Sequence, residues 1–168
     1  VLVLCAWCGA GLAGGPSFNY FNFAVVDVED TATSDRVTGR EFQISFETAD
    51  SEIYQLGLLS GQDARELFTV TGGVQHRPSS EVSLFWQAGV QLVNGGELYG
   101  IVDLGGRLAG SGVFEIDSKL NLYVARGSRG AMMDVGVRAF VLKGVSLGVN
   151  LSRDTDDFQT ARLSVRFE

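Results

Sequence analysis

The chain has 168 residues, of which 45% are hydrophobic and 20% charged, with a formal net charge of −7. That length suits one domain with a real core or one closed barrel, and an acidic balance with no basic cluster excludes a nucleic-acid backbone as partner. Apolar and polar residues are finely mixed, so no run reaches the roughly 18 apolar residues of a membrane-spanning helix, while the hydrophobic content is too high for a disordered chain.

The first stretch, VLVLCAWCGAGLAGG (Val1 to Gly15), is uncharged and apolar up to a run of small residues. It reads as a secretory signal cleaved near Ala13, with Gly11 and Ala13 supplying the small side chains a signal peptidase needs. This divides the chain into 1–13, a signal remnant, and 14–168, one barrel domain. The competing reading is a buried N-terminal strand or helix. A lipoprotein anchor needs a small residue before the modified cysteine, whereas Leu4 precedes Cys5 and Trp7 precedes Cys8. The C-x-x-C spacing of Cys5 and Cys8 has no second pair and no nearby histidine, so it reads as part of the signal and not as a redox or metal site.

From Ser17 onward a two-residue period dominates, broken at regular intervals by turn residues. Phe21, Phe23 and Val25 alternate with Asn22 and Ala24, and an acidic, Thr/Ser-rich loop follows from Asp30 to Gly39. Phe42, Ile44 and Phe46 alternate with Glu41, Gln43, Ser45 and Glu47; Tyr54, Leu56 and Leu58 with Gln55 and Gly57. Phe68, Val70 and Val74 alternate with Thr69, Thr71, Gly73 and Gln75, after which HRPSSE turns the chain. Its Pro78 cannot donate to a sheet ladder and suits that place.

Val82, Leu84, Trp86, Ala88, Val90 and Leu92 then alternate with Ser83, Phe85, Gln87, Gly89 and Gln91, up to the hairpin signal Asn94–Gly96. Leu98, Val102, Leu104 and Leu108 alternate with Tyr99, Ile101, Asp103, Gly105 and Arg107. Phe114, Ile116, Leu120, Leu122 and Val124 alternate with Glu115, Asp117, Lys119, Asn121 and Tyr123. Met133, Val135, Val137, Ala139 and Val141 alternate with Asp134, Gly136, Arg138 and Phe140. Val145, Leu147, Val149 and Leu151 alternate with Ser146, Gly148, Asn150 and Ser152. The last segment, DFQTARLSVRFE, sets Ala161, Leu163, Val165 and Phe167 against Thr160, Arg162, Ser164 and Arg166. The pattern predicts about ten strands, or eight if two weak segments are loops, joined by short connections into an antiparallel meander.

Alternation alone does not say which face points inward, because a soluble barrel and a membrane barrel are inverses of each other. Two features favour a membrane. The polar face carries repeated glycines (57, 73, 89, 105, 136 and 148) and charges of both signs, which suits a crowded lumen held by ion pairs. The apolar face is nearly free of charge, rich in Val, Leu and Phe, with aromatics toward strand ends, as a lipid-facing band is. The predicted lumen network is Asp103, Arg107, Glu115, Asp117, Lys119, Asp134, Arg138, Arg162 and Arg166. The predicted lipid-facing set includes Phe21, Phe23, Trp86, Leu104, Phe114, Val137, Leu163 and Phe167.

With these elements in place, NYFNFAVVDVED resembles the first strand and first loop of the small Gram-negative outer-membrane β-barrels of the ten-strand porin-family type. MDVGVRAFVLKGVSLGVNLSRDTDDFQTARLSVRF is similar to that type's closing strands. The resemblance implies an all-β, antiparallel up-and-down transmembrane barrel in the bacterial outer membrane, with both termini in the periplasm. The loops at Asp30–Gly39, Gly61–Ala64, Asn94–Gly96, Gly127–Gly130 and Asp154–Asp157 would then face outside. It further implies membrane lipids and lipopolysaccharide as partners, and recognition by the outer-membrane assembly machinery through a C-terminal aromatic. Phe167 matches that aromatic in kind, and Glu168 stands one residue past the pattern.

Chemistry is sparse. The only histidine, His76, lies beside Ser79, Ser80 and Glu81 at a turn and reads as solvated, so no enzyme is expected. The acidic loops (Asp27, Glu29, Asp30; Asp154, Asp156, Asp157) fit no defined calcium spacing, Arg126 and Arg129 read as a plain hairpin, and no cofactor is expected. The expected function is a structural or envelope role with a largely plugged, charge-lined lumen, at most a narrow passive pore. The alternatives are a channel for small polar or hydrophobic solutes and a soluble lipocalin-like ligand-binding barrel.

Overall fold

The computed structural model describes residues 16–61, 66–94, 96–110 and 113–168. The expected signal at 1–13, with both cysteines, lies outside the described residues, as do Gln62–Ala64 and Gly95 of two expected loops, and Arg65, Ser111 and Gly112. Ten strands follow one another: β1 (Tyr20–Asp30), β2 (Arg36–Glu47), β3 (Glu52–Gly61), β4 (Leu67–His76), β5 (Val82–Val93), β6 (Glu97–Gly110), β7 (Phe114–Ala125), β8 (Ser128–Leu142), β9 (Val145–Asp154) and β10 (Phe158–Phe167). Each pairs antiparallel with its sequence neighbours, and β1 pairs with β10, from Phe21↔Phe167 to Asp30↔Phe158, to close the barrel. Closure leaves no row of unpaired backbone groups, which is what a sheet surrounded by lipid requires.

The alternation dictates which side faces in. The lipid-facing residues named above all point outward, with exposures from 37% at Phe21 to 63% at Leu163. Asn22, Gln55, Gln87, Asp103, Glu115 and Arg138 are buried inside. A soluble ligand-binding barrel needs the opposite arrangement, so the lipocalin-like alternative is overturned by this inversion. Among the described residues the buried apolar cluster inside is small: Phe18, Tyr20 and Ile53 with Phe85, at the end carrying Tyr20 and Phe167, here the proximal end.

Two expected loops are shorter than the sequence suggested. Arg36–Gly39 continue β2, because Arg36 pairs with Glu29 in register and by a 2.7 Å ion pair. Ser128–Gly130 continue β8, paired with Tyr123–Ala125. At the tight turn after β8, Gly144 takes φ = 73°, a left-handed conformation that favours glycine. At Gly73 and Gly89 the need is room: a Cβ would stand 2.0 Å from the carbonyl oxygens of Trp86 and Val70 respectively, so these strands approach more closely than any side chain permits.

Candidate functional site

The inward side chains form two layers. In the proximal layer Glu115, 1% exposed, is held by Arg166 (Nη1–Oε1 2.8 Å), with Arg138 Nε at 4.0 Å. Arg107 faces Asp117 in the β6–β7 register, yet its guanidinium turns to the aromatic cluster instead. It lies over the Phe18 ring at 3.9 Å, and donates to Tyr20 Oη (3.2 Å) and to the Ser17 carbonyl. Arg166 stacks on the other aromatic, 4.3 Å from the Tyr20 ring centroid. These are cation–π geometries in a desolvated setting, where they are strongest.

Sequence reasoning missed the inward-folded segment before β1 that Arg107 contacts. Pro16 and Phe18 are fully buried, with Phe18 edge-on to Phe85 at 5.2 Å. The segment is tied on by Arg77, which donates to the Pro16 carbonyl at 3.1 Å and pairs with Glu47 at 2.7 Å. Asn19 Oδ1 also accepts from the Glu47 backbone N–H. The signal lay in parity: Phe18 falls on the inward register of Tyr20 and Asn22, where a large aromatic needs a filled mouth.

The second layer crosses the lumen. Arg162 on β10 reaches Glu41 on β2 (2.8 Å), Asp134 on β8 (2.9 Å) and Ser152 Oγ (3.0 Å). Asn150 donates to both Asp117 and Asp134 at 3.0 Å, and Lys119 sits 3.7 Å from Asp103, which also accepts from Asn121 at 2.6 Å. Glu41 and Asn150 were absent from the predicted network, although both stood on the polar face. The missing side chains at 136 and 148 make room: a Cβ on Gly136 would meet Asn150 Nδ2 at 2.1 Å, and one on Gly148 would meet the Arg138 guanidinium at 3.1 Å.

Two small cavities touch these side chains. One cavity of about 110 Å³ lies between the layers, touching Arg107, Arg138 and Arg166 as well as Glu41, Asp134 and Arg162. A second of about 130 Å³ lies beyond, lined by Thr69, Thr71, Gln91 and Asp103 among others. Glu41, Lys119 and Arg162 line both, so the ion-paired side chains stand where the two cavities meet.

Glu168 is not a loose appendage. Its backbone N–H donates to the Gly144 carbonyl at 2.9 Å, and its carboxylate lies 3.4 Å from Arg166. Partial burial beneath the barrel pushes its pKa above the ordinary carboxylate value, against the pull of Arg166. His76 ends β4 on the outer side and is exposed, away from the lumen. Among the described residues no group of three or more His, Cys, Asp or Glu side chains is placed to hold a metal ion.

No protein-family model matches the sequence, and no curated protein does. The fold does match solved structures. A KdgM porin in complex with disordered oligogalacturonate superposes with a TM-score of 0.60 at 10% identity, over 89% of this chain and 98% of that one. A further KdgM porin structure superposes with a TM-score of 0.57 at 10% identity, over 88% and 98%. The chain therefore has the closed-barrel fold of outer-membrane porins.

Proposed function

We propose that this protein is an outer-membrane β-barrel with a structural, envelope-stabilising role, whose lumen is shut at rest. The observation that carries this is closure in series. Phe18 and its capping Arg107 fill the proximal mouth, and the Glu41–Arg162–Asp134 strut crosses the lumen above it. Cavities of about 110 and 130 Å³ beside the strut are each large enough for a handful of waters, which supports a narrow or closed lumen. The outward face, apolar over most strands, supports the membrane location, with lipids and lipopolysaccharide as its surroundings and Phe167 as the aromatic offered to the assembly machinery.

Planar-bilayer recording tests the reading. The wild type should give no stable unitary conductance. Arg162→Ala joins the two cavities but leaves the mouth filled, and Phe18→Ala empties the mouth but leaves the strut. Only the double variant should open stably, and a heat-modifiable gel shift in each variant verifies that the barrel has folded. Stable openings in the wild type would sink the closed-lumen reading in favour of a narrow channel. That second reading has one observation of its own: Gln87 is fully buried, and neither of its amide atoms has a hydrogen-bond partner among the described residues. Such an unsatisfied amide on the inward face would gain partners if the lumen opened to admit water or a polar solute. The neighbouring porin's oligogalacturonate complex is compatible with it.

A further inference from the structure

The outward band is lopsided. On β5, six successive outward positions, Val82, Leu84, Trp86, Ala88, Val90 and Leu92, are apolar, and β8 has six more, from Ala131 to Val141. On β2 only Phe42, Ile44 and Phe46 are apolar before Arg40, Thr38 and Arg36 follow; on β1 Phe21, Phe23 and Val25 give way to Asp27 and Glu29; on β3 Tyr54, Leu56 and Leu58 give way to Ser60. Outward positions recur every ~6.7 Å along a strand. At a tilt of about 40°, six positions span about 25 Å of membrane normal, which matches a barrel's apolar band, while three span only about 10 Å. One side of the barrel fits a bilayer and the opposite side does not.

That thin side has a distinct composition. Its apolar part is mostly aromatic: Phe21 meets Phe42 edge-on at 4.4 Å, Phe46 stacks on Tyr54 at 5.2 Å, and Phe167 completes the patch 6.4 Å from Phe21. Above it stand an acidic column on β1 (Asp27, Glu29) and, on the adjoining β2, a basic column (Arg40, Arg36). Arg36 and Glu29 pair within the chain at 2.7 Å; Arg40 is exposed and makes no ion pair among the described residues. Asp27 pairs in register with Thr38, one outward position from Arg40.

We infer that the β1–β3 face is an interface with a second copy of this chain. The two columns lie side by side, so a two-fold axis along the membrane normal, passing between them, sets each copy's Asp27 opposite its mate's Arg40. The aromatic patches meet below. Self-complementarity of this kind is what an isologous interface demands, and association is one of the responses open to a span too short for its bilayer. A covering partner removes from lipid the polar residues that stand where β5 and β8 carry aliphatic ones.

The inference rests on the membrane reading and is tested separately from it. The protein purified in mild detergent, and again in lipid nanodiscs, should be dimeric by native mass spectrometry. Asp27→Arg and Arg40→Asp each set like charges across the axis and should weaken self-association by at least about tenfold. The double swap Asp27→Arg/Arg40→Asp should restore the dimer. Heat-modifiability in all variants verifies folding. A folded, monomeric wild type in both media overturns the dimer alone, as does a dimer indifferent to the single swaps or unrestored by the double. A monomer that retains lipopolysaccharide and loses it in Arg40→Asp overturns it in favour of a lipid occupant. A protein that stays soluble without detergent refutes the membrane reading itself.

Discussion

Glu115→Gln removes one carboxylate charge from the most buried ion cluster in the barrel. Glu115 and Arg166 are 1% and 4% exposed, so solvent screening does little for their 2.8 Å contact, and Arg138 at 4.0 Å shares the same oxygen. With Glu115 neutral, the three guanidiniums of the layer, at Arg107, Arg138 and Arg166, lose their central counter-charge. Breaking a buried pair by removing one partner costs about 3–5 kcal/mol, and a gross attraction of about 4 kcal/mol for unit charges 4 Å apart at an effective dielectric of 20 is of the same size. Equilibrium unfolding in urea from detergent micelles or liposomes, followed by tryptophan fluorescence and gel mobility, measures the loss. Arg166→Gln alone should also destabilise. The double variant should cost clearly less than the sum, since the 2.8 Å contact is lost in either single variant and cannot be lost twice. A Glu115→Gln loss below about 1 kcal/mol, the range of an exposed pair, would refute the reasoning.

Gly136→Ala should cost about 2–4 kcal/mol in the same assay, because its Cβ displaces Asn150 from two charge-assisted hydrogen bonds. Gly100→Ala, on the outer side with Val124 at an ordinary 3.6 Å, should stay within about 0.5 kcal/mol; equal losses at both sites would show that lumen crowding is not the cause. Glu168 has a folded pKa above its unfolded value of 4.5, so the folded barrel holds that proton more tightly. Its contribution favours folding below the unfolded pKa and fades as pH rises through the raised one. Glu168→Gln should therefore flatten stability against pH over that window relative to the wild type, and identical profiles would remove Glu168 from the account.

The period-two pattern carried the strands and their faces, since each inward or outward assignment needs only the parity of neighbouring residues. It did not carry cross-lumen partners. Arg162 needed an acid, but parity cannot say whether that acid stands on β1, β9 or elsewhere; barrel diameter and strand tilt bring it to Glu41, 121 positions away, and to Asp134. Nor could register predict that Arg107 would pass over Asp117 for Phe18. That choice depends on how the chain before β1 bends back into the mouth, and alternation ceases to inform where the strand stops.

The same physics bears on why the lumen is charged at all. With lipid outside, burial of apolar area does not distinguish inside from outside, because both are poor in water. What fixes the orientation of β7, β8 and β10 is the cost of turning Glu115, Asp134 or Arg162 toward hydrocarbon, where each would lose its partners. A one-residue slip in any hairpin would do that to a whole strand. The ion pairs therefore need contribute little net stability to be decisive. In the observed register β2, β7, β8 and β10 pair their buried inward charges together, and the Arg162–Glu41 contact spans the seam where β1 meets β10. On this reasoning the ion pairs proposed to close the lumen are also contacts that fix the strands bearing them.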